Sequence, residues 1–402
     1  KIWNCAPALV EFVSGIFFVA GAGRKAAISR ARVKDRLGEL LGKDRVLCLP
    51  SSPSIAPPMN MPGQDRESFR TSALALLCIA GLAGLPQVSH PRNPGMALDM
   101  DWVMGAQANT SAIERRCSTL PGRRTVKKEF QAAWLARAIS CIDLTTLAGD
   151  DTPGRVKRLC AKAMQPVRAD LLEAIGLPNL TTGAVCVYHE MVPYAVEALA
   201  GSGIPVAAVS TGFPAGLSPY HLRVKEIEES VAAGAKEIDI VISRRHVLTG
   251  NWQALYDEMQ DFREACGEAH VKAILATGEL GTLRNVARAS LVCMMAGADF
   301  IKTSTGKERV NATLPVSLVM IRAIRAYQQV TGVRVGYKPA GGISKAKDSL
   351  VYLSLMKEEL GDRWLRPDLF RFGASSLLGD IERQLEHHVT GAYSASWRHA
   401  MA

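Results

Sequence analysis

The sequence predicts an α/β protein, a (β/α)8 TIM barrel with an N-terminal helical lead-in and a poorly structured N-terminal extension. Eight short apolar runs, each followed by a helix-like stretch, succeed one another over about 250 residues, which is the number, order and length such a barrel needs. Helical stretches end in Gly-Ala just before the next run, at Gly234-Ala235 and Gly297-Ala298, as a left-handed C-cap leading into an inner strand requires. The alternative architecture, a doubly wound open sheet, wants a Gly-rich first turn, and no G-x-G-x-x-G follows the first run.

At 402 residues the chain exceeds the roughly 250–300 of one compact core, so a barrel plus one extra segment is expected. The boundary is drawn with residues 1–95 as an extension, largely disordered or weakly helical, and 96–402 as the barrel. Within the extension, residues 5–23 are apolar but interrupted by Glu11, and 73–85 is shorter than the ~20 residues that span a bilayer. Neither run sits where a secretory signal should, with a clean small-residue cleavage site after it, so no membrane partner is expected. Residues 50–70 are Pro/Ser-rich and polar, a linker by composition.

Helical spacing begins with SAIERRCSTL and RTVKKEFQAAWLARAI. The strand-like runs follow: 140–147, 184–188, 205–210, 237–242, 271–276, 299–304, 334–338 and 369–373. Helices are expected between them, for example over 222–235, 252–269, 283–298 and 346–360.

Composition is that of a folded protein: 48% hydrophobic and 21% charged residues exclude a wholly disordered, collagenous or polytopic membrane chain. Of the net charge of +10, residues 1–100 contribute 12 Lys/Arg against 7 Asp/Glu, or +5, and the remaining 302 residues the other +5. The barrel is only mildly basic, which argues against a nucleic-acid surface and is compatible with a local site for a phosphorylated metabolite. The basic RRTVKK has no interleaved aromatic and reads as a solvated helix start. Nine cysteines without C-x-x-C pairing suit a reduced, cytoplasmic protein with buried thiols.

Functional side chains of such barrels collect at the C-terminal ends of strands. Charged residues that interrupt the apolar runs include Asp143 in the first, Asp239 in the fourth, Lys302 in the sixth and Lys338 in the seventh. Charges inside apolar strands are costly unless paired or employed. An isolated lysine near pKa ~10.4 is protonated at neutral pH, whereas a neighbouring ammonium and desolvation favour the free amine, which attacks carbonyls. One lysine as nucleophile and one as the cation that keeps it neutral is the functional reading; a buried ion pair that merely closes the barrel is the structural one.

PAGGIS (339–344) follows the seventh run and FGASSLL (372–378) the eighth, with small residues where the next helix begins. Backbone amides there make an anion site, and in barrels a phosphate commonly sits after strands seven and eight. TSTGK is no P-loop, because Ile301 and Glu308 stand where that motif needs Gly and Ser/Thr. The eight histidines show no metal-ligand spacing, so neither a metal nor another cofactor is expected.

CIDLTTL, VCVY, GFPAG, GAKEIDIVI, ATGEL, AGADFIKTSTGK, GYKPAGGI and RFGASSLL, in this order, resemble the deoxyribose-phosphate aldolase family, class I aldolases on a (β/α)8 barrel. RTVKKEFQAAWLARAI, ACGEAH, ILATGELGTL and IERQLEHHVTG resemble its longer, eukaryotic-type form, and the likeness covers roughly residues 96–394.

The resemblance implies reversible Schiff-base cleavage of 2-deoxy-D-ribose 5-phosphate to D-glyceraldehyde 3-phosphate and acetaldehyde, in deoxyribonucleoside catabolism. It makes Lys302 the Schiff-base lysine, with Lys338 depressing its pKa and shuttling protons with Asp239 through a water. Asp143 is expected to hold a substrate hydroxyl, and Thr145 and Cys186 to line the pocket. Gly306, Gly341, Gly342, Gly373, Ser375 and Ser376 are expected at the phosphate, with Lys307 a further contributor.

His189 departs from the family pattern, which usually places proline after VCVY. Tyr393 is the candidate counterpart of a mobile C-terminal tyrosine found in some members. Other Schiff-base barrel chemistry on a phosphorylated substrate, pyridoxal-phosphate chemistry included, and a non-catalytic scaffold are the alternatives. A homodimer is common for such barrels, but no interface is legible in the residues.

Overall fold

The computed structural model describes residues 92–123 and 126–399. The extension expected over 1–95, with its apolar runs and linker, lies outside the described residues except for its last four positions.

Three lead-in helices, α1 (Met100–Gly105), α2 (Thr110–Arg123) and α3 (Lys128–Ser140), precede the first strand. Then come β1 (Ile142–Thr145), α4 (Pro153–Met164), α5 (Ala169–Ala174), β2 (Ala184–Tyr188), α6 (Val192–Ala198), β3 (Val206–Ser210), α7 (Tyr220–Ala232) and β4 (Glu237–Val241). The second half holds α8 (Arg244–Leu248), α9 (Trp252–Ala265), β5 (His270–Ile274), α10 (Leu283–Met295), β6 (Phe300–Lys302), α11 (Leu314–Thr331), β7 (Gly336–Lys338), α12 (Ala346–Leu360), β8 (Phe372–Ala374) and α13 (Ser376–Thr390). All eight expected strands form, and helices form at the stretches named above, the one over 222–235 starting two residues earlier, at Tyr220.

The strands are parallel and ordered β7-β6-β5-β4-β3-β2-β1-β8. Parallel bridges from Tyr337 to Phe370 and from Ala340 to Gly373 bring β7 and β8 together and close the barrel. Among the described residues this closure leaves no open sheet edge. Sequence capping starts several helices: Thr152 accepts from the Arg155 amide at 3.2 Å ahead of Pro153, and Thr282 accepts from the Asn285 amide at 3.1 Å. At their ends, Gly234 and Gly297 take the positive φ expected of them, 103° and 97°.

The main apolar core lies between strands and helices, where outward residues such as Ile238, Ile240 and Ile301 are fully buried. A smaller apolar cluster, Cys186, Ala207, Val209, Phe213, Val241 and Ile274, fills one side of the upper barrel interior. The segment before α1 is tied into the barrel, because Asn93 is buried with its amide donating to Asp299 Oδ1 at 2.7 Å. Its side-chain amide donates to the carbonyls of Met294 and Ala298 at 2.7 and 2.9 Å. Among the described residues no helix is long and apolar enough to cross a membrane.

Candidate active site

Strand alternation sends every second side chain into the barrel, and in this chain those positions carry charge. The four residues predicted from the sequence converge: Asp143 from β1, Asp239 from β4, Lys302 from β6 and Lys338 from β7. Three others join them: Glu237 from β4, Lys272 from β5, and Arg371 just before β8. None of the seven is more than 5% exposed.

Asp239 is the hub. Its Oδ2 accepts from Lys302 Nζ at 2.8 Å and from Lys338 Nζ at 2.7 Å, and its Oδ1 accepts from Lys272 Nζ at 3.0 Å. Lys338 also donates to Asp143 Oδ2, and Lys272 donates to Glu237 Oε2. Arg371 spans the layer below, donating to Asp143 Oδ1 and, at 2.8 Å, to Glu237 Oε1. Lys302 thus has one carboxylate partner, while each other base has at least two.

Four bases face three carboxylates in a space sealed from water, where an uncompensated charge is very costly. A fourth cation is the one least compensated here, and the amine with the fewest carboxylate partners is that of Lys302. Burial lowers the Lys302 pKa, and the adjacent Lys338 ammonium lowers it further against the pull of Asp239. Burial also disfavours the charged form of Lys338, but Asp143 and Asp239 outweigh it and hold that group above its ordinary value. For Asp239 burial alone would raise the pKa, and Lys272, Lys302 and Lys338 together hold the carboxyl well below its usual range. Burial and the Lys338 charge thus both act toward the free amine at Lys302. The chain leaves the ladder just beyond Lys302: the Thr303 amide donates to Lys338 O at 3.1 Å while its carbonyl accepts from Thr277 on the opposite side at 2.9 Å.

Thr145 and Cys186 are register partners on β1 and β2 at the rim of this cluster. Thr145 Oγ1 donates to the Asp143 carbonyl at 2.7 Å. Burial raises the Cys186 pKa, so it stays a thiol at neutral pH and serves as part of the apolar wall.

The glycine-rich loops stand side by side above the amines. A Cβ on Gly306 would lie 3.9 Å from Gly341 Cα, so the loops after β6 and β7 touch, and the Ala340–Gly373 bridge joins the loops after β7 and β8. Gly341 has φ +81° and its missing Cβ would fall 2.6 Å from the Asn311 side chain, so only glycine fits there. Ser375 and Ser376 are exposed at the start of α13, and Lys307 is exposed at the tip of the β6 loop. The amides of Gly342, Ser375 and Ser376 donate to no described group. That of Gly373 is engaged, donating to Pro339 O at 2.9 Å in the β7–β8 seam. The Gly306 amide donates to the Glu308 carboxylate at 3.1 Å, as does that of Thr305 at 3.0 and 3.1 Å.

The structure does not bring Tyr393 to this site. It stacks on His387 with ring centroids 4.1 Å apart, eleven residues along α13 from Ser376. At 1.5 Å per residue that is about 17 Å from the mouth. His189 lies in the loop after β2, where its Nδ1 is 3.2 Å from Glu226 Oε1, while Glu226 Oε2 accepts from the Gly212 amide at 2.7 Å. That carboxylate raises the His189 pKa and ties the loops after β2 and β3 together.

Glu237, Lys272, Arg371 and Glu308 were not anticipated from the sequence. The first three carried the same signal as the four that were, a charge interrupting an apolar run (EIDIVI, VKAILA, LFRFG). Glu308 carried none, because its role depends on a turn that brings its carboxylate back to the amides of Thr305 and Gly306.

Fold and site together define an α/β-barrel enzyme with an amine-centred site. The model of the DeoC/LacD family of aldolases matches residues 137–380, and this chain belongs to that family. It is 62% identical to the deoxyribose-phosphate aldolase of Mus musculus over 305 residues and 60% identical to that of Homo sapiens over 307. Each match covers 75% of this chain and 96% of the relative. Among solved structures, proteins of Toxoplasma gondii ME49 (22% identity, 64% of this chain and 96% of that one, TM-score 0.56) and Coccidioides immitis (23%, 69% and 98%, TM-score 0.53) share the barrel.

Proposed function

We propose that this chain is a class I aldolase that reversibly cleaves 2-deoxy-D-ribose 5-phosphate to D-glyceraldehyde 3-phosphate and acetaldehyde. The observation that carries the reading is the Lys302–Asp239–Lys338 arrangement, in which one carboxylate oxygen accepts from both amines and only Lys338 has a second carboxylate partner. The relatives of high identity support the same substrate, and the six described cysteines, all buried and free, support a cytoplasmic setting for deoxyribonucleoside catabolism.

Lys302 attacks C1 of the open-chain aldehyde, and loss of water leaves an iminium. A proton leaves the C3 hydroxyl, the C2–C3 bond breaks, and its electron pair moves into the iminium. The products of this step are D-glyceraldehyde 3-phosphate and a neutral enamine on Lys302. Protonation at C2 and attack by water then release acetaldehyde and restore the amine. The iminium is the electron sink that spares the reaction a free carbanion. Asp143 holds the substrate hydroxyl near the breaking bond, and Asp239 with Lys338 carries protons through a water. Thr145 and Cys186 line the pocket. Gly306, Gly341, Gly342, Ser375 and Ser376 take the phosphate with Lys307 beside them, and Gly373 contributes by clearing space, since its amide serves the seam.

The test is borohydride trapping with acetaldehyde followed by peptide mapping. The expected result is a reduced adduct on Lys302 that disappears in Lys302→Ala. An adduct on another residue, or none, overturns the assignment.

A further inference from the structure

Arg371 and Glu237 touch neither Lys302 nor the open mouth, yet they complete the sealed cluster. We propose that they are positioning residues that set the protonation of Lys302 through the charge balance of this cluster, acting by way of Asp143, Lys272 and Asp239. The inference rests on Lys302 being the nucleophile and concerns what makes it one.

The groups that face one another are Asp143 (β1), Cys186 (β2), Glu237 and Asp239 (β4), Lys272 (β5), Lys302 (β6), Lys338 (β7) and Arg371 (before β8). Cys186 is a neutral thiol. A guanidinium does not lose its proton in a protein, so Arg371 is a permanent cation. It neutralises carboxylate charge that the three lysines would otherwise share, donating to Asp143 Oδ1 and, at 2.8 Å, to Glu237 Oε1. Lys272 lies within 3.4 Å of all three carboxylates, and Lys338 donates to two of them. With Arg371 counted, the carboxylates are balanced before Lys302 is charged. Without it, three lysines would match three carboxylates and Lys302 would keep its proton. Glu237 has the opposite sign: losing its charge makes a further cation less tolerable.

The experiment measures Lys302 trapping by acetaldehyde and borohydride across pH in the full chain, with peptide mapping. Arg371→Met is expected to move the half-maximal pH upward by on the order of one unit, and Glu237→Gln to move it downward by a similar amount. Arg371→Lys keeps the charge and leaves the midpoint near wild type. The double variant Arg371→Met/Glu237→Gln removes one charge of each sign and returns it there. A structural role alone would not produce shifts of opposite sign that cancel. Midpoints that stay put, or move the same way, while Lys302 remains the labelled residue, overturn the inference and spare the assignment of Lys302. Absence of label on Lys302 in the unsubstituted chain overturns the assignment itself. Should Arg371→Met not fold, Glu237→Gln decides alone, and no downward shift overturns the proposal.

Discussion

Lys302 and Lys338 are register partners on adjacent strands, and both donate to the same oxygen, Oδ2 of Asp239, at 2.8 and 2.7 Å. Two ammonium groups so placed repel, and the repulsion is relieved when the one with fewer carboxylate partners gives up its proton. Neighbouring strands supply the proximity, and Asp143 on β1 gives Lys338 a second carboxylate partner that Lys302 lacks.

Replacing Lys338 with leucine removes that repulsion. Lys302 then holds its proton to higher pH, because burial is left as the main lowering influence, the Lys338 charge is gone, and Asp239 still favours the ammonium. The acid limb of the kcat/KM profile should move toward alkaline pH by on the order of one unit, and activity at neutral pH should fall roughly 10- to 100-fold. An unchanged profile would contradict the coupling.

Asp239→Asn separates nucleophile formation from proton transfer. With one carboxylate fewer, the cluster tolerates fewer protons on its amines, so Lys302 should be trapped at lower pH than in wild type. Turnover should nonetheless drop about 10²- to 10⁴-fold, because the shared acceptor is gone. Breaking a buried charge network should also cost on the order of 3–5 kcal/mol in urea unfolding. Turnover that survives intact would remove Asp239 from the proton path.

Glu308 accepts from the amides of Thr305 and Gly306, the second of which is assigned to the phosphate. A carboxylate and a phosphate dianion cannot both use that amide without repulsion. Glu308→Gln should therefore lower KM for the phosphorylated sugar and tighten inhibition by inorganic phosphate, each roughly 3- to 10-fold. Cleavage of unphosphorylated 2-deoxy-D-ribose should change less than about twofold. Equal effects on both sugars would show that Glu308 shapes the loop rather than the anion site.

A methyl group on Gly373 would lie 2.7 Å from Ala340 Cβ and 3.3 Å from Lys338 Cε. Gly373→Ala should push β8 from β7 and tilt the Lys338 stem, costing about 1–3 kcal/mol by chemical denaturation. kcat should fall in the same variant, since Lys338 loses its aim at Asp239. A variant of wild-type stability and rate would mean that the seam adjusts without disturbing Lys338.

The barrel was legible because its signals are local. The fourth run, EIDIVI, alternates apolar and charged residues, and β4 forms with Glu237 and Asp239 inward and Ile238 and Ile240 packed on helices. The strand ends were less legible. The run 334–338 became only Gly336–Lys338, where a Cβ on Gly336 would strike the Phe300 ring at 2.4 Å, a constraint imposed by a neighbouring strand. Of the buried charged cluster, Asp143, Asp239, Lys302 and Lys338 were singled out from the sequence. Glu237, Lys272 and Arg371 carried the same signal, but nothing local said that they meet.

The sequence by itself determined the order of strands and helices, the residues that point inward, and the candidate lysines and carboxylates, because periodicity and turn chemistry act over a few residues. Only the tertiary structure decided which lysine has the fewest carboxylate partners. Protonation of a buried amine depends on the summed charge of every group within hydrogen-bond reach, and those groups arrive here from five strands and the segment before β8. The tertiary structure likewise decided that Glu308 already fills the Gly306 amide, because that contact exists only once the loop after β6 has turned back on itself.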